Sequence, residues 1–508
     1  MGNGNRSTQP SSLTFGLDAF RSLAAGLDIV AAASSVSLGP GRRAIIIEQP
    51  GDAPLVCSNG LLRAGAIELK NARQNLGAQL LWNATRTIRQ TVGDGSATCA
   101  VLSRAMMAAA LKSVSAGADP LLLRRGMLGA SQALFRELQR AASRPQAHQV
   151  AQIAALAARD RAMGELIGTV LTPESPDGLV VIEDATGTVL EVEMETGLRL
   201  RSGYASYAFV TDADSRQSIL DDPLVLVSDE AIVRVVDILP ALESLVQITR
   251  KFVVVSKRIE GEALSALVVN KLRGTFDCLA VNTQGLAGLD EFGALHDVAR
   301  LTGATLLGLH TGRGLRSIKA ADFGRARRVI ASEHATTFLA EARPQELEAL
   351  GMPMACKPRP VVRIKVGAAT ELERKAKRTK VEVALAAARA ALDEGVVPGG
   401  GVALVRAAQA IRQSGRLGDE AAGASIVFQA VGAPLMNIAA NAGLDGAHIC
   451  TVVGEQTGDF GFDVETHKYG SMANFGILDP TKVVRVALES AVGVVALALT
   501  SAVLVTSG

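Results

Sequence analysis

Val92-Gly93-Asp94-Gly95-Ser96-Ala97-Thr98 stands between two helical patterns. Before it, Leu61 to Val92 carries Ile67, Leu69, Leu76, Leu80, Leu81 and Ile88 at helical spacing. After it a second helix opens at once through Cys99, Ala100, Val101 and Leu102. A helix start offers unpaired N–H groups and the positive end of the dipole, and glycine lets a phosphate approach that backbone closely. Asp94, between two glycines, is of the kind that ligates Mg²⁺ together with phosphate oxygens and waters. Ser96 and Thr98 add hydroxyls. Alone, the turn is better explained as structure, since glycine is common at helix ends and aspartate caps them.

Two further glycine turns widen that reading: Leu38-Gly39-Pro40-Gly41 and Pro398-Gly399-Gly400-Gly401. Neither a Walker A pattern nor G-x-G-x-x-G is present, so the P-loop and dinucleotide readings fall away. The chain has 508 residues, 48% hydrophobic and only 3% aromatic, with 50 glycines. At about 100–200 residues per domain this predicts roughly two to four domains. Disorder and collagen are excluded by the apolar fraction and by glycines without a period. Abundant small and aliphatic residues predict closely packed helices, and scarce aromatics argue against a stacking platform for single-stranded nucleic acid.

Net charge is +2, so no general attraction to polyanions is expected. The basic run Arg374-Lys375-Ala376-Lys377-Arg378-Thr379-Lys380 reads as a solvated helix face. Cys57, Cys99, Cys278, Cys356 and Cys450 contain no C-x-x-C pair, which suits a reducing cytoplasm and gives neither zinc nor redox motif. The six histidines are dispersed, without H-E-x-x-H. The polar start Met1–Ser7 lacks a signal-peptide core and misses the myristoylation pattern at Arg6. Ser490 to Gly508 carries no charge and is about long enough to span a bilayer. On residues alone, a membrane anchor and a buried helix followed by a strand both stay open.

The period changes along the chain. Helical patterns fill the first third, including Pro120–Ala142 with proline in the first turn. Short β-branched runs follow at 179–182, 224–227 and 252–255, separated by helical stretches Ile232–Leu245 and Gly261–Leu272. Helices return at Thr370–Ala391 and Gly401–Ile411. Helical ends around a mixed centre predict a discontinuous domain with an α/β insertion.

Taken in order, Val36-Ser37-Leu38-Gly39-Pro40, Val92 to Thr98, Gly395-Val396-Val397-Pro398-Gly399-Gly400-Gly401-Val402-Ala403-Leu404 and Gly476-Ile477-Leu478-Asp479-Pro480-Thr481-Lys482-Val483 resemble the group I chaperonin family, the GroEL type. Gly261-Glu262-Ala263-Leu264, Val268-Val269-Asn270 and Ile364 to Glu371 extend the resemblance, which runs from about Leu17 to Thr506. It implies a multidomain α+β and α/β, GroEL-like fold. The helical equatorial ATP-binding domain is expected over 1–140 and 395–508, the intermediate hinge over 141–195 and 363–394, and the α/β apical domain over 196–362. It implies an ATP-binding chaperonin in double heptameric rings, or mixed rings with another chaperonin. Such rings take non-native polypeptide and a GroES-type cochaperonin, with no nucleic-acid or membrane partner. The cofactors implied are ATP and Mg²⁺. Carried over by motif, Ser37, Leu38, Gly39, Pro40, Gly95, Ser96, Ala97 and Thr98 would hold phosphate, Asp94 the metal, and Gly400 and Asp479 the nucleoside. Tyr204, Phe209, Leu239, Leu242, Leu264, Val268 and Val269 match the client and cochaperonin groove. The resemblance also packs the C-terminal helix and strand within the equatorial domain, with the strand pairing to a neighbouring subunit.

The chain departs from the family where hydrolysis is performed. The general-base aspartate position is Val383, within Val381-Glu382-Val383, and a second carboxylate position is Asn59, within Ser58-Asn59-Gly60. Valine can neither accept a proton nor orient water. Glu382 is turned about 100° away on a helix. Nucleotide binding is therefore expected to persist with weakened or absent hydrolysis. The segment between Thr337 and Val366 is shortened and holds Pro344, Pro353, Pro358 and Pro360, and 285–291 lacks a basic character found in the family. A specialised chaperonin with a narrow client set is the leading expectation. The alternative is a nucleotide-binding scaffold or assembly subunit that has lost ATPase-driven encapsulation.

Overall fold

A computed structural model describes residues 11–40, 45–47, 55–57, 67–171, 179–185, 187–188, 190–212, 216–283, 291–340, 359–411 and 418–507. Asn59, residues 285–290, Pro344, Pro353, Pro358 and the first residues of the chain lie outside the described residues. The chain divides into two compact units, one made of 1–176 and 375–508, the other of 177–374. Each has its own core.

The first unit begins with strand β1 (Ser11–Phe15) and helix α1 (Gly16–Ser35), followed by the short antiparallel pair β2 (Ile45–Ile47) and β3 (Leu55–Cys57). Helices α2 (Ala72–Val92), α3 (Ser96–Ser115), α4 (Pro120–Ala141), α5 (Ala147–Ala158) and α6 (Arg161–Val170) follow. The helix expected from Leu61 starts instead at Ala72, because the Asn71 side chain caps it by accepting from the N–H groups of Arg73 and Gln74. Phe20, Leu23, Leu27 and Val30 put one face of α1 into the core. α1 and α2 cross in backbone contact: a Cβ added at Gly26 would sit 1.7 Å from the Gln74 carbonyl oxygen, and one at Gly77 2.1 Å from that of Leu23. Such crossings are where the chain uses its small residues.

The second unit opens with β4 (Leu179–Ala185), β5 (Leu190–Leu200), β6 (Ser218–Asp221) and β7 (Leu224–Ile232). Then come α7 (Val235–Ile248), β8 (Lys251–Ile259), α8 (Gly261–Leu272), β9 (Asp277–Asn282), α9 (Glu291–Thr302) and β10 (Leu306–Leu307). β11 (Gly324–Arg325), β12 (Arg328–Ala331), β13 (Thr336–Ala340) and β14 (Arg359–Gly367) complete it. β10, β7, β8 and β9 pair in parallel, with β11 antiparallel on β7. The parallel strands read as continuous Val and Leu runs because they are buried almost end to end. The other sheet has the order β4-β14-β5-β13-β12-β6.

The chain returns through α10 (Glu371–Glu394), β15 (Val396–Pro398), α11 (Val402–Ala410), α12 (Asp419–Ala430), α13 (Ala433–Asn441) and α14 (Gly446–Glu455). The hairpin β16 (Phe460–Asp463) and β17 (Lys468–Ser471), strand β18 (Leu478–Pro480), helix α15 (Thr481–Leu499) and strand β19 (Val503–Ser507) end it. The uncharged C-terminal run is thus a helix end and a strand. α15 buries Val484, Leu488, Ala491, Val492 and Val495, and β19 pairs antiparallel with β1 of the same chain. By length and apolarity Ser96–Ser115 and Asp419–Asn441 could also cross a bilayer, yet Leu102, Met106, Ile426 and Val427 from them are core residues.

Candidate functional site

Three turns of the first unit meet at one cleft. The first is the exit of α1. Leu38 N–H donates to the Ser35 carbonyl at 3.1 Å, and the Ser37 hydroxyl donates to the Ser34 carbonyl at 2.6 Å. Ser37 is 1% exposed, and its N–H also donates to the Ser34 carbonyl, at 3.2 Å, so both of its donors are engaged within its own helix end. Gly39 has φ +88°, and a Cβ there would meet Ile438 at 3.1 Å.

The second turn is Gly93-Asp94-Gly95. Gly93 closes α2 on the Arg89 carbonyl at 3.0 Å, and Gly95, at φ +95°, caps α3. Asp94 is half-buried, with one carboxylate oxygen accepting from Gly95 N–H at 2.7 Å. No side chain among the described residues caps α3, and its first turn holds no carboxylate. The third turn, ending in Gly401 at φ +84°, opens α11, likewise without a side-chain cap or first-turn carboxylate. Gly399 N–H donates to Ile477 O at 2.9 Å, and Val397 of β15 lies opposite Asp479 of β18. Two helix N-termini, neither capped by a side chain among the described residues, therefore open at one place, which is an arrangement for binding an anion.

The cleft has a volume of about 1130 Å³ and lies within the first unit. Ser37, Leu38, Gly39, Pro40, Asp94, Gly95, Ala97, Thr98, Gly400 and Asp479 line it. Ser96 does not: it is 6% exposed, and its hydroxyl donates to the Thr85 carbonyl at 3.1 Å. Carboxylates of Asp94, Asp160, Glu165, Asp463, Glu465 and Asp479 outnumber Arg159, Arg161 and His148 on the walls. A polyanion entering such a cleft needs a cation beside it. The donor set fits Mg²⁺, which takes one or two carboxylates and completes its shell with phosphate and water. Among the described residues no group of three or more His, Cys, Asp or Glu could hold a metal alone. Asp94 would be the protein's share.

Several lining residues escaped the sequence reading. Asp463, 8% exposed, holds the β16–β17 turn by accepting from Glu465 N–H and the Thr466 hydroxyl at 3.0 and 2.6 Å. Phe462, Met472 and Phe475 beside it give the cleft an apolar end. Gln152, on α5, packs over Gly476. None belongs to a glycine motif, so only folding brings them together.

Val383 is 6% exposed, and its carbonyl lies 3.5 Å from where a Gly93 Cβ would be. Its backbone thus stands beside the Gly93-Asp94-Gly95 turn, while its aliphatic side chain is not among those that line the cleft. Glu382 is drawn off by Arg378, one turn earlier, at 3.1 Å.

In the second unit, α7 carries Leu239 and Leu242, α8 carries Leu264, Val268 and Val269, and Tyr204 and Phe209 stand in the segment between β5 and β6. Leu239 and Val269 are each 43% exposed, while Leu242, Leu264, Val268 and Tyr204 are half-buried against the core. Phe209 is a correction: it is fully buried and cannot meet a partner at the surface. The sequence profile of the TCP-1/cpn60 chaperonin family matches residues 30–207 and 233–506.

Proposed function

This chain belongs to the TCP-1/cpn60 chaperonin family, and from that membership we propose that it is an ATP-binding chaperonin with a narrow client set and weakened hydrolysis. Membership implies a role in protein folding, nucleotide dependence, non-native clients and oligomeric rings. The observation that supports ATP is the meeting of three glycine turns and two uncapped helix starts at one cleft. In this reading the Leu38–Pro40 backbone lies against the phosphates, and Ala97 and Thr98 hold them through backbone N–H groups, with the Thr98 hydroxyl beside them. Asp94 holds Mg²⁺, which when bound would neutralise phosphate charge. Gly400 and Asp479 flank the nucleoside.

Weakened hydrolysis is supported by Val383, which offers no group to orient the attacking water. Asn59 belongs to the same reading. Clients and a GroES-type cochaperonin would lie on Leu239, Leu242, Leu264, Val268, Val269 and Tyr204, where half-buried and exposed aliphatics form a strip. We assign the equatorial, intermediate and apical boundaries given above. Rings are taken as heptameric, alone or mixed, in the cytoplasm. Free thiols at Cys99, Cys278 and Cys450 fit a reducing compartment.

Calorimetry of the full chain with Mg·ADP and Mg·ATP, followed by phosphate release, tests the reading. Binding with slow release is expected. Absence of binding would overturn it. Binding without turnover, client capture or rings in native mass spectrometry would instead favour the scaffold role, to which Val383 and Asn59 also point.

A further inference from the structure

We propose that Asn441 is a positioning residue for the loop Ser37–Pro40, a role that rests on the nucleotide reading of the cleft. Asn441 ends α13, and its Nδ2 donates to the carbonyls of Ser35 and Leu38, each at 2.8 Å. Those acceptors lie more than 400 residues earlier in the chain, so this is a tertiary clamp. Asn437, one turn back, shares one of that nitrogen's two hydrogens at 3.3 Å and helps to set which end of the amide faces the loop. Ile438, between them on the helix, lies directly beneath Gly39. α13 is therefore the floor of the loop.

The chemistry follows from the planar trans peptide, in which C=O and the next N–H point in opposite directions. Tying the Leu38 carbonyl to Asn441 sets the Gly39 N–H on the side away from α13. It also keeps a carbonyl oxygen from turning toward an anion. At φ +88° Gly39 is a residue around which the neighbouring peptide could otherwise rotate. Loss of the clamp should therefore weaken ligands that carry phosphate and spare those that do not.

The test uses the full-length chain and compares ADP with adenosine, both with Mg²⁺, in Asn441→Asp and Asn441→Ala. Asn441→Asp keeps the size but replaces a donor by an acceptor facing two carbonyls. ADP binding is expected to weaken about tenfold or more, with adenosine changed less than about twofold. Backbone hydrogen exchange at Leu38 and Gly39 in the ligand-free variants should accelerate. Parallel loss of both ligands, or unchanged ADP affinity in variants of a chain that does bind ADP, would overturn the clamp. If both variants fail to fold, Asn437→Ala leaves the donor and frees its orientation. A smaller loss for ADP alone supports the clamp, and an unchanged ADP-to-adenosine ratio overturns it. Failure of the unaltered chain to bind ADP would strike the nucleotide reading itself, while unchanged exchange at Leu38 and Gly39 would strike only the clamp.

Discussion

Val383 lies in the packed face of α10, with its carbonyl beside Gly93. Val383→Asp should raise ATP turnover about a hundredfold, the lower range for a positioned general base, without altering ADP affinity. Its melting temperature should fall, because a largely buried site gains a polar group at a cost of about 1–3 kcal/mol or more. Phosphate release by the unaltered chain at the rate of the variant would refute the role given to Val383. Gly95 allows a second test. At φ +95°, with a Cβ 3.0 Å from Val483 Cγ1, Gly95→Ala carries about 1–2 kcal/mol of strain plus a close contact. Gly117 has the same φ with nothing within 4 Å. Gly117→Ala should therefore lose stability while keeping nucleotide affinity, whereas Gly95→Ala should lose both, as calorimetry and thermal melts would show. At this scale the sequence located the glycines and Asp94. It could not tell that the hydroxyls of Ser37 and Ser96 donate to nearby carbonyls, because hydroxyl partners are set by neighbouring backbone.

Among elements, the helix crossings explain the composition. Gly126 and Gly423 meet the carbonyls of Glu420 and Leu123 at 1.9 and 2.1 Å for an added Cβ, repeating the Gly26–Gly77 contact. Scarce aromatics and abundant glycine are what such crossings require. The exposed strip on α7 and α8 is the element-level site. Leu239→Glu with Val269→Glu should reduce capture of a denatured model client severalfold while leaving the melting temperature within a few degrees, since both are 43% exposed. An equivalent change at Leu264 or Val268, half-buried against the core, should cost stability as well. If the Leu239 and Val269 changes leave capture intact, the strip is not the client surface. The family resemblance, not helical spacing, identified these residues as a set, and it could not separate exposed Leu239 from buried Phe209. That distinction depends on what packs over each side chain.

Across the whole molecule, each unit keeps a thiol in its core. Burial pushes the Cys99 thiol up to about 12 from the ordinary 9.0, and that of Cys278 likewise to about 12. The folded state favours the protonated thiols, whereas the unfolded chain releases those protons once pH passes about 9. Stability should therefore decline as pH rises from about 9 toward 12, measurable as a falling denaturant midpoint. Cys99 and Cys278 should resist alkylation until their units open, and Cys450, half-buried, should react before either of them. Labelling of Cys99 or Cys278 ahead of Cys450 in the native protein would contradict this burial. The sequence by itself determined the helical ends, the mixed centre and the ordered glycine turns, because periodicity and backbone freedom are local properties. It left two choices to the tertiary structure. One, open on residue pattern alone though the family resemblance already favoured packing, was whether the uncharged C-terminus is a membrane segment or, as found, a core helix and a strand paired with β1. The other was which distant residues, Asn441, Gln152 and Asp463 among them, surround the glycine turns. Both depend on contacts between segments hundreds of residues apart, and no local pattern encodes them.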